Sequence, residues 1–334
     1  MGPEKIKEIL EKIKNLKVSV YGDFCIDAYW ILGPGGSEIS LETGLKGEAV
    51  KEHYYSLGGA SNIVANLSAL YPQSINAIGV IGDDIFGREI KRQFRKLKIS
   101  TDFLVIQKEN YSTVAFGKRI FKGREEPRID FGFFNKRSIR TDKILLEGIE
   151  HAIKYSDVLI FNQQVPGSIT NMDFIEKVNF LFKKYNDRIV LSDSRHYKEQ
   201  IKNVYMKMNI FEAAELVKFK GSKKDLMILG NVKLIAMNLF NFSKKPVFIT
   251  RGPEGIAAFD SNGFHSVPGI KLFKKRDTVG AGDTTISALA LSLASGEDIQ
   301  SAIEFANLAA TVVVQKLFRT GVATGEEILA ISKL

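Results

Sequence analysis

Cysteine is nearly absent from this 334-residue chain: Cys25 stands alone, so no disulfide can form within one molecule and a cross-linked secreted scaffold is excluded. The four histidines, His53, His151, His196 and His265, lie far apart without ligand spacing, which leaves no zinc motif to read. No apolar run reaches the roughly 18 residues that a membrane-spanning helix needs. The strongest candidates, residues 286–294 and 308–314, read as core segments. The first residues are charged and helix-periodic, so no secretory leader is expected, and Ile6 stands where a myristoylation signal needs Ser or Thr. A cytoplasmic protein with no membrane partner is the expectation.

Charge is present in excess of one sign, with 47 Lys and Arg against 38 Asp and Glu, a formal net of +9. Such a balance suits phosphate-bearing substrates, nucleic acid, or simply a lysine-rich solvated surface. No RNP, zinc-finger or basic-aromatic stripe accompanies it, so no nucleic-acid partner is expected. A hydrophobic content of 45% is enough for one large α/β core with an added subdomain.

Short apolar runs recur at residues 18–21, 77–81, 158–161, 189–191 and 247–250, and helical stretches at 62–70, 142–155, 171–184 and 225–240 alternate with them. This rhythm predicts a doubly wound α/β sheet, whose ligands collect at the carboxyl ends of the strands. Residues 31–56 and 111–134 break it with Gly, Thr, aromatic and charged residues in shorter alternation. They are read as a small β lid on a single domain spanning residues 1–334. Its open strand edges are expected to pair with a second copy in a homodimer.

The chemistry concentrates in Asp277-Thr278-Val279-Gly280-Ala281-Gly282-Asp283, which opens a helical run. A Gly-Ala-Gly turn at a helix start leaves backbone amides unpaired and approachable, an arrangement suited to a phosphoryl group. Chemistry alone also allows a plain turn with Asp283 as a helix cap. A Gly-x-x-x-x-Gly-Lys-Ser/Thr loop is absent, and Thr285 stands where a dinucleotide fingerprint needs its third glycine.

The heptapeptide closely resembles the second signature of the PfkB, ribokinase-like carbohydrate kinases, Asp-Thr-x-Gly-Ala-Gly-Asp. Gly58-Gly59-Ala60-Ser61-Asn62 resembles their first signature, Asn209-Ile210-Phe211-Glu212 their Asn-x-x-Glu element, and Thr250-Arg251-Gly252-Pro253-Glu254-Gly255 their nucleotide-binding strand end. The resemblance implies a three-layer αβα fold with a β lid. It implies a kinase using ATP and Mg2+, with a monovalent cation such as K+ as an optional addition, acting on a sugar or sugar phosphate. Asp283 falls on the catalytic base and Gly280, Ala281 and Gly282 on the anion-binding turn. Gly58, Gly59 and Asn62 fall on the sugar side. Asn209 and Glu212 fall on the element that organises magnesium and phosphates, and Thr250, Gly252, Gly255, Thr278 and Asn307 on nucleotide positions.

Within the family the sequence is most similar to the heptose 7-phosphate kinases that form half of bifunctional heptose kinase/adenylyltransferases. Gly22-Asp23 through Asp27-Ala28-Tyr29-Trp30, Arg128-Ile129-Asp130, and the stretch from Phe305-Ala306-Asn307 through Val322-Ala323-Thr324 carry that similarity. The adenylyltransferase half is expected to be a separate protein, since the sequence ends at Leu334. Asp23 and Asp27 would accept hydrogen bonds from sugar hydroxyls. The lid cations Lys118, Arg119, Lys122, Arg124 and Arg128 would hold a terminal phosphate. Departures occur where the resembling kinases carry an arginine (Ala28 here), Ser-Asp-Tyr (Asn162-Gln163-Gln164) and Asp-Pro-Lys (Asp193-Ser194-Arg195), positions expected to face the sugar.

Overall fold

The computed structural model describes residues 1–36, 38–165, 172–272, 277–316 and 321–333. In chain order its strands are β1 (Lys17–Gly22), β2 (Phe24–Leu32), β3 (Val50–Gly59), β4 (Ser74–Gly82), β5 (Ser100–Gln107), β6 (Val114–Phe121), β7 (Arg124–Glu125), β8 (Ile129–Phe131), β9 (Val158–Gln163), β10 (Ile189–Ser194), β11 (Tyr205–Asn209), β12 (Val247–Thr250), β13 (Ile256–Asp260) and β14 (Gly263–Val267). The helices are α1 (Pro3–Ile13), α2 (Ala60–Ser68), α3 (Ile85–Lys96), α4 (Ile139–Tyr155), α5 (Met172–Lys184), α6 (Ile210–Leu216), α7 (Leu229–Ser243), α8 (Ala281–Ala294), α9 (Ile299–Val313) and α10 (Gly325–Ile331).

Nine strands form the main sheet in the order β14-β13-β12-β11-β10-β9-β1-β4-β5. Pairing is parallel from β12 through to β5, and β13 and β14 turn back antiparallel at one edge. Alternation along each strand sorts side chains into two cores. Val18, Val20, Ala77, Val158 and Ile160 pack beneath α1, α2, α3, α8, α9 and α10; Ile78, Val80, Leu159 and Phe161 pack beneath α4 to α7. The result is the expected three-layer αβα architecture. Burial on both faces explains why the central strands read as continuous apolar runs.

All five strands read from the sequence are present, and the helices begin or end within a few residues of their expected bounds. Asn171, the first residue of one expected helix, lies outside the described residues. The stretch 225–240 splits into a 3-10 turn, Asp225–Met227, and α7, because Asp225 spends its carboxylate on the amide and hydroxyl of Ser222 and Ile228 is extended.

The second sheet has five strands in the order β3-β2-β6-β7, with β8 also paired to β6. It draws on residues 24–59 and 114–131, so it starts upstream of the expected position 31. The first β2 residues, Phe24, Cys25, Ile26 and Ala28, are buried, and therefore read as more of the main core. Only Asp23 separates β1 from β2, and β3 runs directly into α2. Both base strands of the small sheet thus end at the carboxyl edge of the main sheet.

Candidate active site

A cleft of about 1240 Å³ opens at that edge, lined among others by Asp27, Gly59, Arg128, Asn209, Glu212, Thr250, Gly252, Thr278, Gly280, Gly282 and Asp283. Helix α8 starts there. Gly280 occupies its N-cap position at φ +79° and offers no side-chain cap, a conformation that favours glycine. Asp277 Oδ1 takes the amide of Val279 at 3.0 Å, and the Ala281 amide reaches Thr278 O at 3.2 Å. The amides of Gly282 and Asp283 have no acceptor among the described residues. A Cβ at Gly282 would lie 3.2 Å from Lys207 Nζ, a tight contact that the lysine end would have to relieve by moving a few tenths of an ångström.

Asp283 is therefore not the helix cap; it is the third residue of α8. Its Oδ2 accepts a hydrogen bond from Asn62 Nδ2 at 2.6 Å. A relay fixes that amide: Thr284 Oγ1 donates to Asn66 Oδ1 at 2.7 Å, and Asn66 Nδ2 donates to Asn62 Oδ1 at 3.2 Å. Desolvation pushes the Asp283 carboxyl up to about 6; the Asn62 bond and Lys207 oppose the shift, and the nearby Asp193 and Asp27 charges add to it. A carboxylate poised near neutrality can take a proton from a hydroxyl.

Lys207, on β11, was not singled out in the sequence. It is buried and donates to Asp193 Oδ2 at 2.6 Å, at the carboxyl end of β10. Burial alone would pull its pKa down, but Asp193, with Asp283 and Glu212, holds it above the ordinary lysine value. A permanent cation thus lies beside the α8 turn.

Asn209 caps α6 and pairs reciprocally with Glu212: Asn209 Oδ1 accepts from the amides of Phe211 and Glu212, and Glu212 Oε2 accepts from the amide of Asn209. Among the described residues no group of three His, Cys, Asp or Glu could hold a metal by itself. A smaller cavity of about 180 Å³ adjoins the cleft, lined by Thr250, Gly252, Gly255, Thr278, Ala281 and Asn307, with Ile256, Ile270 and Val314 as apolar walls. Asn307 Nδ2 donates to Pro268 O at 3.0 Å. Gly255, at φ +88°, lets its backbone pass Val267 O, which a Cβ would meet at 2.1 Å.

At the other end, Asp27 faces the cleft and pairs with Lys118 at 3.3 Å; burial raises its carboxyl above the usual range against the pull of Lys118. Asp23 Oδ2 accepts the amides of Gln164 and Val165, both at 2.7 Å, so part of its carboxylate ties β1 to the end of β9. Gly58 and Gly59 pack close to Cys25 and the carboxyl of Asp27 or the carbonyl of Asp23. Four of the five lid cations have partners of their own. Lys118 is paired with Asp27, Arg119 with Glu48 and Arg128 doubly with Asp130, and Lys122 lies over the Phe121 ring. Of the five, Arg128 alone lines the cleft. Among the departures, Asn162 and Gln163 are buried rather than facing the cleft, and Gln164, Asp193 and Arg195 line it.

The profile of the pfkB family carbohydrate kinases matches residues 15–320. The chain belongs to that family. It is thereby a sugar kinase, whose substrate is a small molecule. It is similar to the bifunctional protein HldE of Helicobacter hepaticus, 30% identical over 322 residues, covering 95% of this chain and 64% of that protein. It is also similar to an uncharacterized sugar kinase of Buchnera aphidicola subsp. Schizaphis graminum, 27% identical over 333 residues and covering 98% of each. This pfkB chain spans a little under two thirds of the bifunctional relatives it matches, at 62% and 64% of two of them. Among solved structures it is similar to ribokinase from Thermotoga maritima (21% identity, TM-score 0.71, 96% of this chain and 100% of that one). The tetrameric inhibited form of phosphofructokinase-2 from Escherichia coli gives 17% identity and a TM-score of 0.74, over 95% and 98%. These likenesses establish a ribokinase-like fold. Among the described residues no helix is long and apolar enough to cross a membrane.

Proposed function

We propose that this chain transfers the terminal phosphoryl group of ATP to a hydroxyl of a sugar phosphate, in the manner of the heptose 7-phosphate kinases that its sequence resembles. The placement of Asp283 carries the reading: a carboxyl pushed up to about 6, at the helix start whose unpaired amides are its own and that of Gly282, with the buried Lys207 acting on it. In this scheme Asp283 accepts the proton of the attacking hydroxyl. The amides of Gly282 and Asp283 at the α8 start and Lys207 Nζ meet the charge that spreads over the transferring group. The acceptor lies toward Asp27, Gly59 and Arg128, with Asp23, Gly58, Asn62 and Lys118 behind them. The nucleotide lies toward Thr250, Gly252, Gly255, Thr278 and Asn307.

Asn209 and Glu212 are the residues that would hold magnesium. One carboxylate and one amide, each with an oxygen already accepting from the α6 cap amides, suit an ion carried mainly by phosphates and water, and when bound it would neutralise phosphate charge.

A kinase for another sugar or sugar phosphate is the second reading. It is favoured by the pairing of Arg128 with Asp130, which leaves no preformed lid clamp. An ADP-release screen over free sugars and sugar phosphates, heptose 7-phosphate included, separates them. Turnover of heptose 7-phosphate well above all others supports the first reading; another preferred acceptor supports the second, and no ADP release from any acceptor would contradict both. The open edges of the small sheet are proposed to pair two copies, and sedimentation giving only monomer at micromolar concentration would remove that part.

A further inference from the structure

Among the described residues, five basic side chains line the cleft: Arg128, Arg195, His196, Lys207 and Arg251. Three are already engaged. Arg128 makes two bonds to the carboxylate of Asp130, Lys207 is spent on Asp193, and Arg251 donates to the carbonyl of Glu254. Arg195 differs. Its side chain is exposed to the cleft, and neither a carboxylate nor a carbonyl pairs with it among the described residues.

Its carrier is held firmly. The Arg195 amide donates to Gln163 O at 2.8 Å, and the His196 amide to Gln163 Oε1 at 2.9 Å. Ser194 Oγ donates to the same oxygen at 3.1 Å, while Gln163 Nε2 donates to Val165 O at 2.8 Å. The buried Gln163 amide thus pins the turn after β10 to the end of β9. A long side chain on a fixed backbone loses less freedom on binding than one on a mobile loop.

We propose that Arg195 is the phosphate receptor of the cleft, binding a phosphate dianion in addition to whatever the α8 turn holds. The proposal rests on the kinase reading for its choice of ligand. A guanidinium presents parallel N–H donors that match two oxygens of a phosphate, and a lysine cannot reproduce that fork. The dianion has two sources, the ester already on an acceptor sugar or the phosphate chain of the nucleotide. His196, also in the cleft, stands next to it.

Titration calorimetry of the wild type, Arg195→Ala and Arg195→Lys tests this, with inorganic phosphate in the presence of saturating ADP, and separately with ATP. Because Arg195 is exposed, both variants are expected to keep the wild-type melting temperature, which is measured alongside. Arg195→Ala should weaken phosphate by about 10- to 100-fold, and Arg195→Lys should recover part of it. Weaker phosphate with unchanged ATP assigns the site to the acceptor's ester. Weaker ATP assigns it to the nucleotide, and either result sustains the receptor. Unchanged affinity for both ligands, or no binding of inorganic phosphate by the wild type with unchanged ATP, overturns it. A wild type that binds phosphate but not ATP would instead count against the kinase reading, and the phosphate titration would still decide Arg195.

Discussion

Asn62 Nδ2 donates to Asp283 Oδ2 at 2.6 Å although the two residues stand 221 positions apart. Each is the third residue of a helix, α2 or α8, that starts from a glycine with positive φ, Gly59 at +51° and Gly280 at +79°. The two glycine-capped helix starts therefore meet at this hydrogen bond, with the Thr284–Asn66 bond joining the same helices beside it. It favours the charged form of the carboxyl, against desolvation that favours the neutral one.

Activity should follow that balance. With Asp283 required as carboxylate, kcat/KM is expected to rise with pH through a midpoint near 6. Asn62→Ala removes a bond that lowers the pKa, so the acid limb should move to higher pH, with the largest loss of rate below neutrality. A pH profile of the variant that superimposes on the wild type, apart from a uniform scale factor, would show that Asn62 does not tune the carboxyl.

The pair of Asp193 and Lys207 is buried, so removing one member strands the other. Lys207→Met should destabilise the fold by about 3–5 kcal/mol in denaturant melts. Asp193→Leu combined with Lys207→Met should be less destabilised than Lys207→Met alone, giving a favourable coupling in a double-mutant cycle. Strict additivity of the two single changes would mean that the ion pair is incidental.

Gly59 carries a steric constraint. At φ +51°, a Cβ would sit 2.7 Å from Asp23 O and from Cys25 Sγ. Gly59→Ala should cost about 1–3 kcal/mol of stability and also distort the floor on which Asp27 sits. A variant as stable as the wild type, with unchanged acceptor KM, would show that β3 and α2 can shift freely at this junction.

The central strands and both glycine turns were legible because they depend on local pattern: unbroken apolar runs for strands buried on two faces, and small residues at helix starts. Lys207 was not. A lone lysine between Met206 and Met208 gives no sign of which side it faces or that Asp193 awaits it on the neighbouring strand. The pairing of the lid cations was hidden for a related reason. Parallel pairing sets Tyr29 opposite Lys118, bringing the Lys118 ammonium to Asp27, and only that register shows the ion pair. The upstream start of β2 escaped notice because its first residues are as buried as those of β1.

Replacing Asp283 by Asn tests the central claim most directly, because it keeps size and polarity and removes the base. Turnover should fall by about 10²–10⁴ while ATP binds with nearly wild-type affinity. The melting temperature should rise at neutral pH. A carboxyl with a folded-state pKa near 6 against 3.8 contributes stability below about pH 4 that is lost as pH rises through 6, and the amide has no such loss. A folded Asp283→Asn protein that binds ATP normally and still phosphorylates its acceptor at close to the wild-type rate would contradict the assignment of Asp283 as the base.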